Sequence, residues 1–195
     1  MYSCVQFAVT PPIPGAAAYK EGHLNLEDIP IMKVHPKFGK SVARKPLGQI
    51  LAQQGFPKGA RGNFSDRTFN IEDIGIPIRK LNASNIKFTK RGVDVVEKHL
   101  TGFVDGKLDE PERIMLDRLR KIADGELKAS PQDRNFYAHE LREFMRYKYL
   151  GQNSTNRDRN FWNDLHTATL EDYGIKEYDD KGASTLYTRY AARFF

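Results

Sequence analysis

The stretch Ser130–Gly151, SPQDRNFYAHELREFMRYKYLG, decides how the chain is to be read. Its punctuation specifies a helix. Ser130 can accept from the first free amides, Pro131 suits the first helical position, and Asp133 puts a carboxylate in the first turn. Gly151 supplies a stop. At about 100° per residue, Tyr137, Leu141, Phe144 and Met145 fall on one face. His139, Glu143 and Arg146 fall on another, with Glu140 at its margin. An imidazole one turn from a carboxylate is a pair that acid–base chemistry could use, and equally an ordinary solvated helix face.

Working outward, residues 157–173 predict another helix, stopped by Gly174. On it His166 projects with Trp162, Leu170 and Tyr173 on the apolar side, and Asp164 and Glu171 on the polar side. Upstream, Thr89 caps a helix over 90–102 with Val93, Val96 and Leu100 as its stripe. Asp109 caps one over 110–124 that buries Ile114, Leu116, Leu119 and Ile122. A last helix over 183–195 would dock Leu186, Tyr190, Phe194 and Phe195. Before Lys90 the chain is broken by Pro and Gly. A short helix is expected over 47–54, and short strands in RTFNIEDIGIPIRKL and SNIKFTKRG. Residues 1–31, with TPPIPGAAA, read as a leader or linker. The expected fold is α+β and mostly α. A single domain over 32–195 packs a helical segment, 89–195, on a basic, irregular segment, 32–91, with a few short strands.

The 195 residues suffice for one domain with a sizeable core, and 39% hydrophobic content with 12 Phe, 9 Tyr and one Trp argues for a folded globule. No apolar run approaches the roughly 20 residues that span a bilayer, so no stable membrane insertion is expected. The N-terminus lacks the basic region of a signal peptide. Cys4 is the single cysteine, which excludes an intramolecular disulfide and a cysteine-based zinc cluster. The net charge of +6 is unevenly spread. Between Met32 and Arg91, 13 Lys/Arg face three acids, a net +10 that leaves −4 for the rest. That asymmetry points to a polyanionic partner, nucleic acid above all, with ordinary surface lysine as the plain alternative.

His166 on an inward helix face needs a partner, because burying an imidazole unpaired costs desolvation. A backbone carbonyl or a Tyr would suffice. The sharper expectation is that His166 meets His139 and Glu143 across a short hairpin. His139 and His166 would then be the acid–base pair for phosphodiester transfer, Glu143 the orienting or basic carboxylate, and Arg142 or Arg146 the phosphate clamp. No cofactor is required, although His139, Glu140, Glu143 and His166, with Asp164 or Asp172, could hold a divalent metal such as Mg²⁺ or Zn²⁺. His139–Glu140 does not begin a zinc-peptidase H-E-x-x-H motif, since position 143 is Glu. The basic, glycine-rich GFPKGARGNFSDR could cradle phosphates with its amides and with Lys58, Arg61 and Arg67 while Phe56 and Phe64 stack on bases, and equally could be a flexible surface loop. His23, His35 and His99 carry little signal. There is no P-loop, G-x-G-x-x-G or G-x-S-x-G.

NIEDIGIPIRKLNASNIKFTKRGVDVVEKHL, SPQDRNFYAHELREFMRYKYLG and LHTATLEDYGI resemble the C-terminal toxin modules of bacterial polymorphic toxins of the contact-dependent inhibition and Rhs type. An H-E-L-x-E helix followed by an H-x-A-x-L-x-x-Y-G helix carries the likeness, over roughly residues 70–175. The resemblance implies a module secreted or surface-delivered at the end of a larger effector, acting in the target-cell cytoplasm and neutralised by a cognate immunity protein. Many such modules are small nucleases. Carried residue by residue, it implicates His139, Glu140, Glu143, His166 and Tyr173. The expected activity is therefore that of an antibacterial nuclease, on RNA (tRNA included) ahead of DNA. The alternatives are a non-enzymatic nucleic-acid-binding module and a toxin of other chemistry, such as NAD hydrolysis.

Overall fold

The computed structural model describes residues 59–104, 106–156 and 158–195. The expected leader, the helix over 47–54, Phe56 and Lys58 lie outside them. Among the described residues the fold is mostly α. It comprises α1 (Lys90–Phe103), α2 (Glu110–Ala123), α3 (Pro131–Tyr149) and α4 (Arg159–Tyr173). Two short 3₁₀ turns, Ala83–Asn85 and Ala191–Phe194, complete the regular structure. None of these helices is long and apolar enough to cross a membrane.

The helix ends follow their capping residues. Thr89 Oγ1 accepts from Gly92 N, and Ser130 Oγ accepts from Asp133 N while Asp133 Oδ2 accepts from Ser130 N. Asp158 caps α4 through Asn160 N and Phe161 N. Gly174 ends α4 at φ 62°, a left-handed conformation that glycine adopts without a Cβ penalty. The main core joins α1, α2 and α3 through Val93, Val96, Leu100, Met115, Leu119 and Phe136.

α3 is buried nearly all round. Tyr137, Leu141 and Met145 are buried as the apolar stripe requires, but so are His139, Glu140, Arg142, Glu143 and Arg146 on the sides expected to be polar. α4 is likewise buried from Asp164 through Asp172. The helix pair is enclosed because the irregular segment 59–81 lies across it, with Phe69, Ile71, Ile74 and Ile78 packed around Ala168.

The strands expected in that segment do not form. A single antiparallel bridge, Arg61–Thr68, stands there, and SNIKFTKRG begins with a 3₁₀ turn. The physical reason is that its amides have other acceptors. Asn63 N, Phe64 N and Ser65 N donate to the Glu171 carboxylate at 2.9, 2.9 and 3.0 Å. Asn70 N donates to Asp164 at 2.8 Å, Arg79 N to the Asp172 carboxylate at 2.6 Å and Leu81 N to the Asp172 carbonyl at 2.7 Å. Acids of α4 thus do what a neighbouring strand would do.

The helix expected over 183–195 is also absent. Asp179 Oδ1 accepts from Lys181 N and Ala183 N, Ser184 Oγ from Tyr187 N, and Thr188 Oγ1 from Ala191 N. Such local side-chain bonds compete with a helix and leave only the last short turn. Of the side expected to dock, Leu186 is buried, while Tyr190, Phe194 and Phe195 are exposed.

Asp172 binds this architecture together. Its Oδ2 accepts from Arg142 Nε at 2.7 Å and Arg146 Nη2 at 2.5 Å, and all three side chains are buried. Removing one partner of a buried ion pair strands the others in a low dielectric. Asp172→Ala is expected to cost about 3–5 kcal/mol in denaturant-unfolding stability, whereas Asp66→Ala, which breaks the exposed Arg61–Asp66 pair, is expected to leave the unfolding midpoint nearly unchanged.

Candidate functional site

His139 and Glu143 are one turn apart on α3, and His166 faces them from α4. His139 Nε2 lies 2.9 Å from His166 Nδ1, and Glu143 Oε2 lies 3.1 Å from each nitrogen. The two rings meet edge to face with centroids 4.5 Å apart. These three side chains together could hold a metal ion.

The cluster has a second layer that sequence reasoning missed. His99 of α1 is fully buried and brings Nε2 to 3.5 Å from Glu143 Oε1, so three imidazoles surround one carboxylate. His99 Nδ1 meets Ser154 Oγ at 2.5 Å. This approach depends on Gly102, one turn on, where a Cβ would stand 2.5 Å from Ser154 Cβ. Glu177, in the loop after α4, takes the far nitrogen of His166, Nε2, at 2.8 Å. Arg67 holds Glu177 through Nε at 3.2 Å and Nη2 at 2.9 Å, and its guanidinium lies 5.6 Å from the Trp162 ring centre. Trp162 stacks on His166 at 4.7 Å. His99 had a signal in the sequence: it shares the stripe of Val96, Leu100 and Phe103 at helical spacing. Glu177 had none, since a loop places it.

The site opens on a cleft of about 360 Å³ whose walls include Glu140, Glu143, Trp162, His166, Asn156 and Arg159. His139 is not on that wall; it sits behind, 1% exposed, with Nδ1 unpartnered. The two-histidine scheme is therefore corrected. With Nε2 and Nδ1 in contact at 2.9 Å, no phosphate fits between the rings.

Other expected site residues are elsewhere. Arg142 and Arg146 serve Asp172 and the carbonyls of Pro77, Ile74, Ile76 and Ala168, so they are buried ties rather than a phosphate clamp. Arg67 supports Glu177. Arg61 pairs with Asp66 on the surface. The amides of the glycine-rich loop cradle an anion, but that anion is Glu171. Tyr173 packs in the core and buries its hydroxyl outside the cleft. Asp164 and Asp172 are engaged by backbone and arginines, away from the cluster. Glu140 lines the cleft but is no member of the His139–Glu143–His166 triangle.

Burial and charge separate the titratable groups. Burial, with the charge of His166, lowers His139 to about 4. Burial works against charge on His166 too, but its bonds to Glu143 and Glu177 outweigh it and raise that ring. Burial opposes the charge of Glu143, yet the three histidines hold it well below the usual carboxylate range. Glu177 is held down to about 2 by His166 and Arg67 against burial. Glu140 is pushed well up by burial, then by Glu143 and Glu112.

Compared with known proteins, the chain matches no family model, no curated protein and no solved structure. The site is accordingly read from its own geometry.

The two rings contribute to stability with opposite signs. His139 stays neutral in the folded state, so the unfolded chain alone takes up a proton between about pH 6.5 and 4, and this contribution is lost on acidification. His166 titrates in the folded state above its unfolded value of about 6.5, so its contribution is complete below about 6.5 and is lost as pH rises through the higher folded-state value. Imidazole NMR in EDTA is expected to show His139 neutral down to about pH 4 with His166 still charged at 6.5. A shared midpoint near 6.5 would show that the deeper burial of His139 and the Glu177 contact of His166 do not hold them apart.

Proposed function

We propose that this chain is the nuclease module of an antibacterial toxin, cleaving RNA in preference to DNA in the cytoplasm of a target cell. The observation that carries the reading is the placement of Glu143 and His166 on the wall of the cleft, with His139 and His99 directly behind. Strongly shifted titratable groups converging on a cleft are a functional-site signature. Arg159, exposed on the same wall, offers a cation for a phosphate. The net +10 of residues 32–91 supports a polyanionic substrate. The likeness of the two histidine helices to polymorphic-toxin modules supports delivery by a larger effector and control by an immunity protein. On this reading His139, Glu143 and His166 together form the reactive centre beside the scissile phosphate, and Glu177 is a positioning residue that acts through His166.

The test is cleavage by the purified chain of tRNA, total RNA and duplex DNA, together with growth of cells expressing it. Wild-type protein is expected to cut RNA and arrest growth. Glu143→Ala and His166→Ala should each lower cleavage by roughly 100-fold or more while far-UV circular dichroism stays that of a folded chain. Intact RNA and DNA in arrested cells would overturn the reading, and falling NAD there would put NAD hydrolysis in its place. Binding of RNA without cleavage would make the chain a nucleic-acid-binding module instead.

A further inference from the structure

The contacts among His139, Glu143 and His166 pose a problem of protons. Glu177 can only accept at 2.8 Å, so His166 Nε2 carries a proton and directs it there. In the neutral ring this leaves His166 Nδ1 as a bare lone pair facing Glu143 Oε2, itself an acceptor, at 3.1 Å, and in the charged ring Nδ1 donates while the lone pair of His139 Nε2 still faces Glu143 Oε2 at 3.1 Å. His139 Nε2 completes a triangle with edges of 2.9, 3.1 and 3.1 Å. One proton serves one edge of this triangle well. Two protons, one on each nitrogen, confront each other across 2.9 Å. A single cation serves all three atoms together.

The distances agree with that solution. Ligand atoms about 2.0–2.2 Å from one ion stand about 2.8–3.1 Å apart at the right angles of octahedral coordination and about 3.3–3.6 Å apart in tetrahedral coordination, so the edges already match the first and need only a slight opening for the second. The surroundings agree too. A ligating histidine normally gives its other N–H to a carboxylate, which fixes its tautomer and aim, and Glu177 stands in that position, itself held by Arg67. His99 faces Oε1 of Glu143, leaving Oε2 for the triangle.

We infer that His139 Nε2, His166 Nδ1 and Glu143 Oε2 bind one divalent transition-metal ion of the zinc class, with a coordination position open to the cleft. Two imidazoles and one carboxylate are a borderline donor set, which favours such ions over Mg²⁺ or Ca²⁺. Three protein ligands beside a cleft are the arrangement of a reactive site rather than a closed structural one. A bound ion supplies Lewis acidity to a phosphoryl oxygen and activates water. The inference rests on the nuclease reading only in placing the chemistry at this cleft.

Binding is tested directly on the full untagged chain, stripped with EDTA and then titrated with Zn²⁺ or Mg²⁺ by calorimetry. The expected result is one Zn²⁺ per chain and no uptake of Mg²⁺ at the same concentrations. Glu143→Gln and His166→Ala should each weaken Zn²⁺ binding by at least about 100-fold, and Glu177→Gln by roughly 10- to 100-fold. Should a variant lose its folded circular dichroism, zinc-dependent change in the wild-type imidazole NMR signals of His139 and His166 gives the same answer without mutation. No stoichiometric Zn²⁺, or unchanged affinity in folded Glu143→Gln, overturns the inference. Undiminished RNA cleavage in EDTA by protein shown to be metal-free overturns the inference but leaves the nuclease reading standing. One-to-one Zn²⁺ binding with RNA and DNA intact does the reverse.

Discussion

Two arginines of α3 share one carboxylate of α4, and much of the structure follows from that contact. Arg146 is fully buried, and its charge is tolerable there because Asp172 Oδ2 lies 2.5 Å away and backbone carbonyls take the remaining protons of its two Nη atoms. Arg142 adds a second bond to the same oxygen at 2.7 Å. The other carboxylate oxygen holds the amide of Arg79, so segment 59–81 is tied to the helix pair at the same point. Asp172 lies six residues after His166, and Arg142 and Arg146 lie three and seven after His139. The interface that carries the ion pair therefore also carries the histidines, and its rigidity presents His139, Glu143 and His166 to one another.

The acids of α4 have a second part in the fold. Asp164, Glu171 and Asp172 accept backbone amides from the irregular segment and replace the strand partner its sequence calls for. A carboxylate accepts several donors at once, so Glu171 alone gathers three consecutive amides and the Ser65 hydroxyl. The basic, glycine-rich loop that looked like a phosphate cradle is an anion nest whose anion is internal. The same contact explains why the expected polar face of α4 is buried.

The site shows how far composition and spacing reach. His139 and Glu143 could be paired from their i, i+4 relation, and His166 could be turned inward from the apolar neighbours on its helix. Their convergence needed α3 and α4 to pack on one another across a short connection, which the helix punctuation already implied. His99 was legible in principle, because it lies on the stripe of α1, but its neighbour Lys98 gave it the look of a surface residue. Glu177 and Arg67 were not legible as a pair. They are separated by 110 residues and come from irregular segments, where no period relates a residue to a face.

What the sequence determined by itself is local. Thr89, Ser130 and Gly174 set helix boundaries through bonds and backbone angles made within a few residues, and the apolar stripes set which helices share a core. Only the tertiary structure decided the fate of the polar groups. Whether Arg146 meets a phosphate or Asp172, whether a glycine-rich amide cluster meets a ligand or Glu171, and whether His99 meets water or Glu143 are matters of which surfaces become buried together. A buried charge takes the nearest partner of opposite character however distant in sequence, because leaving it unpaired in a low dielectric costs more than any local preference.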